Sequence, residues 1–107
     1  MDKTIKTIWI ESYEKGPING GQSNTDDNTD VIVTFSDDTK YVATFFTYDN
    51  VKTLTEKNKK TGELLSGKYF WASDMILVDR IDRDTIENVI DDLIKEKYFD
   101  QLFKSVE

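Results

Sequence analysis

The chain has 107 residues, carries 21 acidic against 14 basic side chains for a net charge of −7, and contains neither cysteine nor histidine. Those two absences exclude disulfides, thiolate nucleophiles and cysteine-bound zinc, and remove both the usual proton shuttle near neutral pH and the commonest metal ligand. Ile, Leu, Val and Phe total 29, enough for one modest core, while the acid excess repels phosphates and argues against nucleic acid or anionic membrane as partner.

Met1 to Lys6 lacks the basic start and apolar stretch of a secretory signal, and no apolar run is long enough to cross a bilayer, so a cytoplasmic location is expected. Thr4 to Tyr13 reads as a strand, with Ile8 and Ile10 on one face and Trp9 on the other. Residues 14–30 hold the only proline and three of the five glycines; they read as a long polar loop. Two strands follow. Val31, Val33 and Phe35 share one face of the first, while Tyr41, Ala43 and Phe45 alternate with Val42, Thr44 and Phe46 in the second. The turn-forming Ser36-Asp37-Asp38-Thr39 joins them as an antiparallel hairpin. Apolar residues on both faces imply a central place in the sheet or a partly covered second face.

Asp49 or Asn50 can cap a short helix with Val51 and Leu54 as its thin apolar stripe. Lys57, Lys59 and Lys60 fall at its end, where the helix dipole favours positive charge, and Gly62 stops it. Tyr69 to Val78 reads as a further strand, interrupted at Ser73-Asp74 by a bulge or by polar groups that the backbone satisfies. Ile86, Val89, Ile90, Leu93 and Ile94 then recur at helical spacing. Asp82 as N-cap would set a staple between Ile81 and Ile86, and Asp84 as N-cap would put Glu87 in a capping box. Past Lys97 the stripe changes phase to Phe99, Leu102, Phe103 and Val106, which implies a kink or a second short helix. The order β-β-β-α-β-α predicts a single α+β domain over residues 1–107, an antiparallel sheet of about four strands with two or three helices on one face.

Little in this pattern carries chemistry. Asn24, Asp26, Asn28 and Asp30 alternate like the start of a calcium loop, but Thr29 stands where the turn needs glycine and Phe35 where the bidentate glutamate belongs. Asp37-Asp38 suits a turn, and Asp91-Asp92 the wet side of a helix, better than a catalytic carboxylate pair. No phosphate loop, nucleophile elbow or nucleophile–base pair is present. The expectation is a protein without enzymatic activity, catalytic residues, metal or cofactor.

The charge is unevenly placed. Residues 74–100 hold nine acids and four bases, a net of −5. First-turn acids and last-turn lysines are ordinary helix design, and Asp91–Lys95 is a favourable pair. Glu87–Asp91 and Asp92–Glu96 are like-charged at the same spacing and cost stability, as a helix that keeps an acidic face for a partner would tolerate. Of the aromatics Trp9, Tyr13, Tyr41, Tyr48, Tyr69 and Trp71, most should pack, and any left exposed beside acids would be an interface anchor.

The hairpin Val31 to Tyr41, the stretch Tyr69 to Val78 and the helical tail from Ile86 to Phe103 together resemble small acidic bacterial proteins of the immunity type found in polymorphic toxin systems. That resemblance implies a one-to-one complex with a basic partner such as a toxin nuclease, masked by an acidic surface. The acids expected to bind it are Asp79, Asp82, Asp84, Glu87, Asp91 and Asp92. The alternative is a structural module without catalytic activity, for instance a homodimer that pairs sheet edges.

Overall fold

A computed structural model of the chain describes residues 4–12 and 25–106. Tyr13, Asn24 and most of the loop expected over residues 14–30 lie outside the described residues, and the last three residues of that loop, Asn28 to Asp30, are strand instead, because they pair with Thr44 to Phe46. The elements in order are β1 (Ile5–Ile10), β2 (Asn28–Phe35), β3 (Lys40–Thr47), α1 (Tyr48–Thr61), α2 (Glu63–Gly67), β4 (Met75–Val78), α3 (Arg83–Lys95), α4 (Phe99–Leu102) and β5 (Lys104–Val106). The fold is α+β, around one five-stranded sheet.

β1, β2 and β3 pair antiparallel in sequence order, with Trp9 opposite Ile32 and Ile32 opposite Val42. The turn between β2 and β3 is closed by Phe35 N–H donating to the Thr39 carbonyl at 2.9 Å, and the Asp37 carboxylate accepts from Thr39 N–H and hydroxyl. The far edge of β3 is shared end to end. β4 pairs with Thr44–Thr47 and β5 with Lys40–Val42. The β3–β4 pair is parallel, because α1 and α2 carry the chain back before β4 begins, as a parallel neighbour requires.

One face of the sheet makes the core. Ile10, Val31, Val33, Phe35, Ala43, Phe45, Ile76 and Val78 point to it and meet Ile86 and Ile90 of α3, Phe99 of α4, and Phe103. Phe35, Tyr41 and Phe99 stand edge to face at 5.3–5.6 Å, and Phe99 stacks on Phe103 at 4.3 Å. Phe99 and Phe103 are four residues apart, so they meet by closing the phase-shifted tail into α4. Sequence periodicity read that tail as purely helical; the structure turns its last residues into β5. The exit from α3 runs through Lys97 at φ 65, with Tyr98 N–H on the Leu93 carbonyl and Lys97 N–H on that of Ile94. This is a Schellman stop, with lysine in the left-handed position that glycine usually takes.

α1 differs from expectation at its start. The cap is Thr47, whose hydroxyl accepts from Asn50 N–H at 3.1 Å, and neither Asp49 nor Asn50 serves. Thr47 is extended at φ −80, ψ 155, the backbone a cap needs, whereas the other two already lie inside the helix. Gly62 ends α1 at φ 86, in the left-handed conformation. α3 settles the choice left open by its sequence. Asp82 is the cap, accepting from Thr85 N–H at 2.7 Å, and Ile81 and Ile86 are both buried as the staple requires.

The expected strand over Tyr69–Val78 is a correction. Only Met75–Val78 is strand. Asp74 sits at φ 54 and its carbonyl accepts from Thr44 N–H at 2.9 Å, so pairing with β3 begins just past this left-handed corner. Phe70 folds onto Phe46 at 5.6 Å, covering part of the second sheet face.

Candidate functional site

The six acids expected to bind a partner all fall between the end of β4 and the middle of α3. Asp82 is committed to structure. It caps α3 and takes the Arg80 Nε at 2.7 Å, and the hydrogen bonds from Thr85, followed by the charge of Arg80, hold its carboxyl below the usual carboxylate range. Asp79 is exposed in the connection ahead of the cap.

At about 100° per residue, Asp84, Glu87 and Asp91 lie along one flank of α3, and Asp92 stands roughly a further quarter turn away. Asp84, Asp91 and Asp92 are exposed and Glu87 is half-buried. The flank is not purely acidic. Arg83 donates from Nη1 to the Glu87 carboxylate at 3.2 Å and from Nη2 to the Ile8 carbonyl at 3.3 Å, tying the helix to β1. Arg83 therefore offsets the repulsion of Glu87 and Asp91 and fixes which side of the sheet the acids face, a role that spacing alone did not single out. Tyr98 and Leu102 are exposed, 54% and 38%, just beyond the acidic helix. Tyr98 meets the condition set for an interface anchor, an exposed aromatic beside acids, although it is not among the six aromatics that the sequence singled out.

The alternating acids and amides just before β2 and at its start bond to neighbouring elements of the protein. Asp26 accepts from Asn50 Nδ2 at 3.0 Å and from the Thr53 hydroxyl at 2.8 Å, Asn28 donates to Asn50 at 2.9 Å, and Asp30 accepts from the Thr44 hydroxyl at 2.9 Å. Thr47 adds Asp27 N–H to its hydroxyl's partners, and donates its own N–H to the Asp27 carbonyl. These bonds latch the end of the polar segment to the start of α1. Burial pushes the Asp27 carboxyl up, against a lowering hydrogen bond from Asn28 N–H. Among the described residues, no group of three or more acidic side chains is placed to hold a metal ion.

A shallow open cleft of about 670 Å³ follows the outer side of α1, lined by Asp26, Asp49, Lys52, Thr53, Glu56, Lys57 and Lys60. Its lining residues are all charged or hydroxylic, with none of the hydrophobic and aromatic side chains that small-molecule sites use.

The segment after α1 is conformationally unusual. Leu64, Leu65 and Ser66 adopt φ 49 to 56 and ψ 41 to 53, so α2 is a single turn wound left-handed. Its bonds are the mirror of an ordinary helical turn, with Ser66 N–H on the Gly62 carbonyl and Lys68 N–H on that of Leu64. Each non-glycine residue held there costs about 1–2 kcal/mol. Gly67, at φ 79, packs so closely on α1 that an added Cβ would lie 2.7 Å from the Thr55 carbonyl oxygen. Leu65, Tyr69 and Trp71 are 68%, 49% and 60% exposed.

Among the described residues no helix is long and apolar enough to cross a membrane. Comparison of the chain with protein-family models, with curated proteins and with solved structures found no match.

Proposed function

We propose that this chain is a protein-binding inhibitor of the immunity type, which masks a basic partner, such as a toxin nuclease, with the acidic flank of α3. The observation that carries the reading is that Asp84, Glu87 and Asp91 share one flank of a helix whose own stability gains nothing from the Glu87–Asp91 spacing. Asp79 and Asp92 extend the negative field to either side, and Tyr98 supplies an amphipathic ring of the kind that anchors interfaces. Complementary charge steers such a pair together and makes association depend on salt. No catalytic role, cofactor or metal enters this reading, and the cytoplasm is its setting.

The test is a low-salt pull-down from the native lysate, followed by affinity measurement on whatever basic protein co-elutes. Reversing Asp84, Glu87 and Asp91 to lysine together should abolish binding, and raised salt should weaken the unmodified pair. Affinity that survives the triple reversal would refute the reading. The homodimer reading draws on a different observation, that among the described residues β1 pairs only with β2. Arg83 donates to the Ile8 carbonyl of that strand, and light scattering across a dilution series separates a dimer from a monomer.

A further inference from the structure

We infer that the left-handed turn and the aromatic stretch after it form a second docking surface, for a protein segment that presents acidic residues around an apolar side chain. This surface is independent of the acidic flank of α3.

Three observations meet here. First, the backbone of Leu64, Leu65 and Ser66 is strained, and Leu65 nevertheless points to solvent. Strain of this sort persists at places where a fixed geometry has a use. Second, Phe70 turns inward onto Phe46, and its neighbours Tyr69 and Trp71 are exposed. Trp and Tyr are the side chains most enriched where binding energy concentrates. Third, the stretch of chain that leads up to them is basic where the chain as a whole is acidic. Residues 52–68 carry five lysines against two glutamates. Lys59 lies against Gly67 and Lys68 directly precedes Tyr69.

The charge selects the occupant. A second copy docking through the same patch would set these lysines against themselves. Nucleic acid is disfavoured by the net charge of −7 and by the glutamates among the lysines. An acidic protein segment with an apolar residue for Leu65 and Trp71 satisfies both parts. Phe46 and Phe70 belong to the sheet face opposite α3, because Phe46 alternates with the core-facing Phe45. The two surfaces therefore lie on opposite sides of the sheet.

The test pans a displayed random-peptide library against the immobilised full chain, then measures the enriched synthetic peptides on variants. Enrichment of acidic peptides with an aromatic or aliphatic centre is expected. Trp71→Ala should weaken them at least about 30-fold, and Lys68→Glu should weaken them and flatten their salt dependence. Trp71 is exposed, so its loss should leave the melting temperature unchanged. Binding should survive Asp91→Lys, which separates this surface from the proposed inhibitory one. No enrichment over bare matrix, or peptides indifferent to Trp71→Ala, overturns the inference. So does a dye-labelled single-stranded oligonucleotide that binds the wild type and not Trp71→Ala, which would assign the surface to nucleic acid.

Discussion

Gly62 and Gly67 bracket the left-handed turn at φ 86 and φ 79 and differ only in what surrounds them. A Cβ on Gly62 meets nothing within 4 Å, whereas one on Gly67 would lie 2.7 Å from the Thr55 carbonyl oxygen and 2.9 Å from Lys59 Cγ. Gly62→Ala therefore incurs only the left-handed conformation, about 1 kcal/mol. Gly67→Ala incurs the same and must also displace a helix backbone carbonyl, which cannot swing aside as a side chain would; overpacking of this kind adds about 1–3 kcal/mol. The expected losses are about 1 kcal/mol for Gly62→Ala and roughly 2–4 kcal/mol for Gly67→Ala. At about 4 °C per kcal/mol for a chain of this size, the melting temperatures should fall by about 4 °C and roughly 8–16 °C. Urea titrations and thermal scans followed by far-ultraviolet circular dichroism resolve that gap. Equal losses for the two variants would refute the close approach of the turn to α1.

Asp82→Ala should cost about 1 kcal/mol in a urea titration by removing the α3 cap. The folded state lowers the Asp82 pKa, so its contribution is full above the unfolded carboxylate value of about 4 and drains as pH falls through the folded one; Asp82→Asn should keep the cap and flatten this acid dependence. Lys97→Gly places glycine at the left-handed stop of α3 and should raise stability by up to about 1 kcal/mol, read as a higher urea midpoint at unchanged slope. Asp91→Lys makes the spacing with Glu87 attractive but turns the favourable Asp91–Lys95 spacing into a like-charged one, so two effects of about 0.2–0.5 kcal/mol offset each other and the melting temperature should hold; a clear fall would show that Asp91 has a further structural partner.

Much of the fold was legible because it rests on local patterns. The period-2 runs of β2 and β3, the turn residues between them and the period-3.6 stripe of α3 each point to one structure, and tertiary packing agrees with them. Gly62 as a helix stop and Asp82 as one of two possible caps were legible for the same reason. What escaped depended on distant partners. The Tyr69–Val78 stretch has strand composition throughout, but β3 offers pairing only from Thr44 onward, and Asp74 turns the chain to reach it. β5 is three exposed residues that exist as strand because the edge of β3 beyond β4 is open. The left-handed winding of Leu64 to Ser66 has no signal in residue type, since leucine and serine ordinarily avoid it. The acidic flank was half legible. Spacing paired Glu87 with Asp91, but the salt bridge of Arg83 and the choice of Asp82 over Asp84 as cap depend on the folded structure.

The whole-chain charge of −7 does not by itself set the field that a partner meets at either surface, for a physical reason. Fields from exposed charges decay over a Debye length of about 8 Å at physiological ionic strength, and even the shortest dimension of the molecule is 24 Å. A partner approaching α3 therefore responds to the acids of that flank, while one approaching α2 responds to the lysines of residues 52–68, and neither sees the sum. The net value still governs solubility and long-range repulsion at low salt. It follows that salt should act differently on the two surfaces. Lowering ionic strength lengthens the reach of the net negative field, which adds to the attraction of a basic partner and opposes that of an acidic one. On-rates at the α3 flank should thus climb steadily as salt is reduced, whereas those at the aromatic surface should climb less and level off. Parallel steep slopes at both would mean that local charge alone sets association.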